Sequence, residues 1–195
     1  MEFLIFIIIL LYSIILHELA HGYVAEKLGD YTPRIAGRLT LNPIAHLDPI
    51  GSILLPIVSI YFLNVGFGWA KPVPINPLNF ENPRKDMAKV ALAGPLTNLA
   101  LVFVFLFIYK LLSFWGVYNL DFLISAIRLN LLLAFFNLIP IPPLDGSRIF
   151  LQNLDFQTMM FWESFGFLFI FIIIYIFGSL FFNLINYLTQ LLISI

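Results

Sequence analysis

Residues 13–30 read SIILHELAHGYVAEKLGD. They close a run in which residues 3–16 are apolar or small and uncharged, and then His17, Glu18 and His21 arrive within five positions. A run of this kind reads as a membrane helix, because about 20 predominantly apolar residues cross a bilayer. A charged side chain at the centre of such a helix costs roughly 2.5–3.5 kcal/mol by insertion scales, so ionisable residues there are candidates for function. His17 and His21 stand four apart and share one helix face. Two imidazoles so placed can hold one metal ion, and Glu18 beside them can take a proton from water.

The rest of the chain agrees with a membrane setting. Of 195 residues, 61% are hydrophobic and 11% are charged, against about 25% charged in an ordinary soluble domain. Several further apolar runs approach spanning length, and the short alternating segments of a barrel are absent. The expectation is an all-α polytopic membrane protein with about 5–6 membrane helices, and residues 1–195 forming a single membrane-embedded domain. The net charge of −1 and the lack of like-charge blocks give no sign of a nucleic-acid partner. No cysteine is present, so any metal must be held by imidazole or carboxylate, and the chain has three histidines. The start of the chain lacks the basic opening and small-residue cleavage site of a signal peptide, and is expected to be a retained first helix.

Helix one is expected over 2–28, stopping at Gly29. Helices are also expected over 87–112 and 122–138, and over 161–195 with a break at Gly178. Between the first and the 87–112 helix lies a short apolar stretch, 50–65, that contains Pro56, and after it a Pro- and Gly-rich segment. This part, near 50–80, is expected to be re-entrant or to contain a short β segment around WAKPVPI, residues 69–75. Lys27, Arg34, Arg38, Lys71, Arg84, Lys85 and Lys89 all lie between the two long helices, which places that stretch in the cytoplasm. The ends of helix one and of the 122–138 helix then share a side only if 50–65 enters and returns without a net crossing.

A catalytic zinc takes three protein ligands and leaves one position open. His46 and Asp145, the latter in PPLDG, are the remaining candidates read from the residues; an Asp before Gly is also an ordinary turn pair. HELAH together with NLIPIPPLDG resembles the site-2 protease family of intramembrane zinc metalloproteases. The resemblance extends to GRLTLNPIAHLDPIGSILLP, FGWAKPVPINP and AGPLTN, in the order found in compact members without PDZ or CBS domains. It implies one Zn2+ per chain held by His17, His21 and Asp145, with Glu18 as general base. It further implies Asn137 as a residue that holds substrate or steadies the oxyanion. Asn98 either bonds to backbone or serves the site directly. His46 is a supporting partner that Asp48 could orient, a substrate contact, or a loop residue. The 69–75 segment is an edge to which an extended substrate adds by main-chain bonds, a lid, or both.

The implied activity is an endopeptidase of the inner or plasma membrane, multi-pass, with its site nearer the cytoplasmic side. It would cut a single-pass membrane protein within or near the bilayer. The rival readings are an inactive homologue that binds membrane proteins and a membrane metal transporter. A transporter should line the whole bilayer with polar ligands, whereas these gather at one depth.

Overall fold

The computed structural model describes residues 2–63, 68, 70–150 and 156–194. It is helical, and no strand occurs among the described residues. The helices are α1 (Glu2–Lys27), α2 (Thr32–Ile35), α3 (Leu55–Leu63), α4 (Pro83–Phe114), α5 (Asp121–Asn137), α6 (Asp145–Phe150) and α7 (Phe156–Ser194). Three of them contain segments long and apolar enough to cross a membrane: Leu4–Lys27, Pro83–Phe114 and Met160–Ser194. With no water in the bilayer core, each must satisfy its backbone internally, which a continuous helix does. Large apolar side chains cover their outer faces, including Phe103, Phe107 and Leu111 on α4 and Phe171 and Tyr175 on α7.

Set against about 5–6 expected membrane helices, α5 has 17 residues and α3 has 9, both short of the length of the other three. Helix α1 ends at Lys27, and Gly29 follows with a φ of 103°, the left-handed conformation that glycine supplies after a helix end. Helix α4 starts at Pro83, four residues earlier than expected, because proline at the first helical turn loses no hydrogen bond there. The expected break at Gly178 is not present: α7 runs unbroken through it. A Cβ at residue 178 would meet only an ordinary contact from Ile174, so the glycine marks neither a kink nor a close approach.

The expected β segment is likewise absent among the described residues. After Asp48 a π-helical turn, Pro49–Leu54, leads into α3; the end of the 50–65 stretch and Trp69 lie outside the described residues. Residues 70–76 are neither helical nor laddered. Pro72 and Pro74 lack N–H groups and hold the residues before them extended. The Lys71 N–H donates to the His46 carbonyl at 2.9 Å, so the chain leaves and rejoins the fold at one place on either side of α3.

Helix α4 is the centre of the molecule, packed against α1, α5 and α6. One apolar core joins Val102 of α4, Ile127 and Leu131 of α5 and Ile185 of α7. A second, at the other end of α4, joins Val90 to Ala25 of α1 and Phe80. A third seats Ile141 and Leu144 on Ile170 of α7 and so anchors the loop that precedes α6.

Candidate metal centre

Helix α1 places Ser13, His17, His21 and Ala25 in one i, i+4 row, and all four are buried. The row faces α4 at Gly94. The first turn of α6 brings Asp145 to the same point. Asp145 Oδ2 lies 3.1 Å from His17 Nε2 and 3.3 Å from His21 Nε2, and the two Nε2 atoms are 3.1 Å apart. The structure therefore brings together three donor atoms from residues 17, 21 and 145. A tetrahedral ion with nitrogen ligands at about 2.0–2.1 Å needs donor separations of about 3.3 Å, so the triangle has the size of one face of such a site.

The tautomers point the same way. His17 Nδ1 lies 2.6 Å from Asn98 Oδ1, and His21 Nδ1 lies 2.7 Å from the Val90 carbonyl. Both partners are acceptors. The Asn98 amide nitrogen is identified by its own bonds, to Asn130 Oδ1 at 2.9 Å and to the Ser13 carbonyl at 3.4 Å. Each Nδ1 is thus the protonated nitrogen, and each Nε2 presents a lone pair. Two lone pairs and a carboxylate oxygen converging within 3.3 Å repel one another unless a cation lies among them. Asp145 Oδ2 is buried and has no hydrogen-bond donor among the described residues. A Cβ at Gly94 would stand 2.5 Å from both Nε2 atoms, so the space beside the donors exists because residue 94 has no side chain. These donors fit a divalent metal ion.

Glu18 flanks the centre. One donor atom each from His17, Glu18 and His21 lies within 4.8 Å of the others. Its carboxylate accepts the Val73 N–H at 2.8 Å, which lays the 70–76 segment over the site. Val73 itself is buried. The segment is held at its far end by Asp30, which is fully buried beyond α1. Asp30 accepts from the Asn76 N–H and the Asn79 amide, both at 2.7 Å, and from Thr32. Burial works to raise its pKa, but these hydrogen bonds outweigh burial and hold the carboxyl below its usual range.

The other expected residues are placed as follows. Asn137 is the last residue of α5, and its amide donates to the Leu133 carbonyl one turn back at 2.9 Å. His46 is buried; its Nε2 donates to the Thr40 carbonyl at 2.8 Å and its Nδ1 has no partner among the described residues. Asp48 does not orient it: that side chain accepts from the N–H groups of Ile50 and Gly51. Asn98 bonds to the backbone of Ser13 and also holds the His17 ring. Asn130, unread in the sequence, completes the chain by donating to Ser13 Oγ at 3.0 Å and accepting from Asn98. Its signal was available: an amide inside the apolar run of α5 must find a buried partner.

The chain is 47% identical over 151 residues to "Putative zinc metalloprotease YwhC" of Bacillus subtilis, covering 73% of this chain and 66% of that protein. It is 35% identical over 139 residues to "Putative zinc metalloprotease MJ0611" of Methanocaldococcus jannaschii, covering 71% and 65%. It is 35% identical over 156 residues to "Putative zinc metalloprotease Rip2" of Mycobacterium tuberculosis, covering 76% and 56%. The chain thus spans less than two thirds of the length of these relatives. No protein-family model and no solved structure matches it.

Proposed function

We propose that this chain is a zinc endopeptidase of the site-2 protease type, cutting a single-pass membrane protein within or near the bilayer. The observation that carries the reading is the convergence of His17 Nε2, His21 Nε2 and Asp145 Oδ2 at 3.1–3.3 Å with both Nδ1 atoms hydrogen-bonded to acceptors. One Zn2+ per chain is the ion, held by these three residues; the zinc metalloprotease names of the relatives support it. When bound, zinc supplies Lewis acidity toward water and toward a peptide carbonyl.

The chain's own groups supply the rest. Glu18 takes the proton of the attacking water and passes it to the leaving amine. In the structure its carboxylate is engaged by the Val73 N–H, so the 70–76 segment governs access to the base. A substrate must be unwound to expose its scissile bond, and it docks as an extended peptide along this segment. With the Lys71 and Val73 N–H groups turned inward and none at Pro72 or Pro74, the segment meets the substrate mainly through carbonyls. Asn137 steadies the oxyanion after its amide leaves the Leu133 carbonyl. The bond between the His46 carbonyl and the Lys71 N–H supports a re-entrant reading of the intervening segment, and the basic residues between α1 and α4 favour a site nearer the cytoplasmic side.

The test compares wild type with Glu18→Gln in membranes of the same cells, reading new protein termini by mass spectrometry and zinc per chain in the purified proteins. The expected result is one zinc in both and membrane-protein termini that depend on Glu18. Equal termini in both would overturn the mechanism.

A further inference from the structure

At the end of the bundle away from the metal centre, α5 floors a groove with Phe6 of α1 on one side and Phe182 and Ile185 of α7 on the other. His17 lies about 16 Å farther along α1 than Phe6, at 1.5 Å per residue. The cavity is about 170 Å³, and Leu129 and Leu132 continue its apolar lining. Two polar groups enter it, Ser125 and Arg128, one helical turn apart on α5.

Arg128 is the anomaly. It sits mid-helix in the apolar stretch of α5, is exposed, and has no hydrogen bond or ion pair among the described residues. The other basic group at this end, Lys110, is tied to the Ile193 carbonyl at 2.7 Å. A guanidinium without a counter-charge is costly at membrane depth, even allowing for the side chain reaching toward the interface. Its planar fork matches phosphate in bidentate fashion. The apolar walls ask for an aliphatic chain, and Arg128 with Ser125 asks for an anion. One molecule that carries both, and that the surrounding medium holds in excess, is an anionic phospholipid.

The geometry points to this groove as a binding site for an anionic phospholipid, its phosphate on Arg128 and Ser125 and an acyl chain laid between Phe6, Leu132 and Phe182. The lipid fills a gap between α1 and α7, both of which lean on α5 there. The inference concerns a different end of the bundle and does not depend on the catalytic reading.

Native mass spectrometry of the detergent-solubilised chain tests it, with phosphatidylglycerol and phosphatidylcholine of matched acyl chains as probes. The expected result is one retained phosphatidylglycerol, at least tenfold preferred over phosphatidylcholine. Arg128→Ala should lower that retention about tenfold and leave zinc content unchanged. Leu132→Trp, which fills the groove without touching the charge, should lower it as well, and Arg128→Lys should keep part of it. Equal retention by Arg128→Ala and wild type would overturn the proposal. So would equal binding of the two lipids, displacement of the lipid by inorganic phosphate, or retention of an acidic single-pass helix peptide in place of lipid.

Discussion

At position 94 a Cβ would stand 2.5 Å from Nε2 of both His17 and His21. In an ordinary helix Gly→Ala gains about 0.5–1 kcal/mol, which offsets part of the cost of moving the two rings off the new methyl group, so Gly94→Ala should lose the ion while keeping its helices. The expected outcome is less than a tenth of the zinc per chain found in wild type, read by elemental analysis, with the helical circular dichroism retained and the thermal stability of the zinc-free protein lowered. Zinc retained at one per chain would show that the ion does not sit where the donors converge. Asn98 gives a second, graded test. Groups that orient metal-ligating histidines typically carry 10–100-fold in affinity, and Asn98 is the one that fixes the His17 tautomer. Asn98→Leu should weaken zinc by about that factor in a competition titration, and Asn130→Leu by less, because it acts through Asn98. At this scale the HELAH pattern made its two histidines and its glutamate legible, since all three lie in one stretch of sequence. Asn130 and the Val90 carbonyl were not legible. Their roles depend on how α4 and α5 cross α1, and one sequence does not contain that crossing.

Among the elements, the long apolar runs were the readable part, because in lipid a helix is the only way for an uncovered chain to satisfy its backbone. The same physics explains the misread break in α7. Glycine weakens a helix in water by exposing backbone to a competing solvent, and that competitor is missing in a membrane-spanning segment, so Gly178 continues the helix. Gly166 is different: its Cβ would meet the Pro142 carbonyl at 1.9 Å, a contact set by the loop packed on α7 and invisible in the local pattern. The 70–76 segment was legible as extended from its prolines, and a lid was one of its two readings; the bond from the Val73 N–H to Glu18 that makes the cover was not legible. Its hold on the fold is testable through Asp30, which accepts from both Asn76 and Asn79. Hydrogen bonds to a charged acceptor contribute roughly 1.5–3 kcal/mol, so Asp30→Asn should free the segment and speed exchange of the Val73 and Asn76 amides at pH 7, read by hydrogen exchange. The sign with pH follows from the lowered pKa. The clamp is fully present above the unfolded carboxyl value of about 3.9 and is lost as pH falls through the lower folded value. Wild type should therefore release the segment only in acid below about pH 4, and Asp30→Asn should show no such step. Amides equally protected in both proteins would remove Asp30 as the clamp.

Over the whole molecule, the two ends of the bundle differ in chemistry. The end that carries the metal centre gathers Lys27, Arg34, Arg38, Lys71, Arg84, Lys85 and Lys89 around the C-terminus of α1 and the N-terminus of α4. The opposite end holds Lys110, at the outer part of α4, and the 115–120 connection. By the charge bias of membrane proteins, the topology we propose turns the first end to the cytoplasm. The bond between His46 and Lys71 requires that both ends of the α3 excursion lie together, and α3 at 9 residues spans only about 14 Å of helix. Because the chain has no cysteine, single substitutions report sidedness without interference. In sealed inverted vesicles, Ala36→Cys and Lys85→Cys should react with a membrane-impermeant maleimide, while Tyr118→Cys should react only once the vesicles are opened. Tyr61→Cys on α3 should not become reactive from the Tyr118 side. If Ala36→Cys and Lys85→Cys labelled from opposite faces, the segment between α1 and α4 would cross the membrane after all. A substrate cut at this centre would then have to approach from two sides of the bilayer at once, and the single-sided site proposed for His17, His21 and Asp145 would fail with the topology.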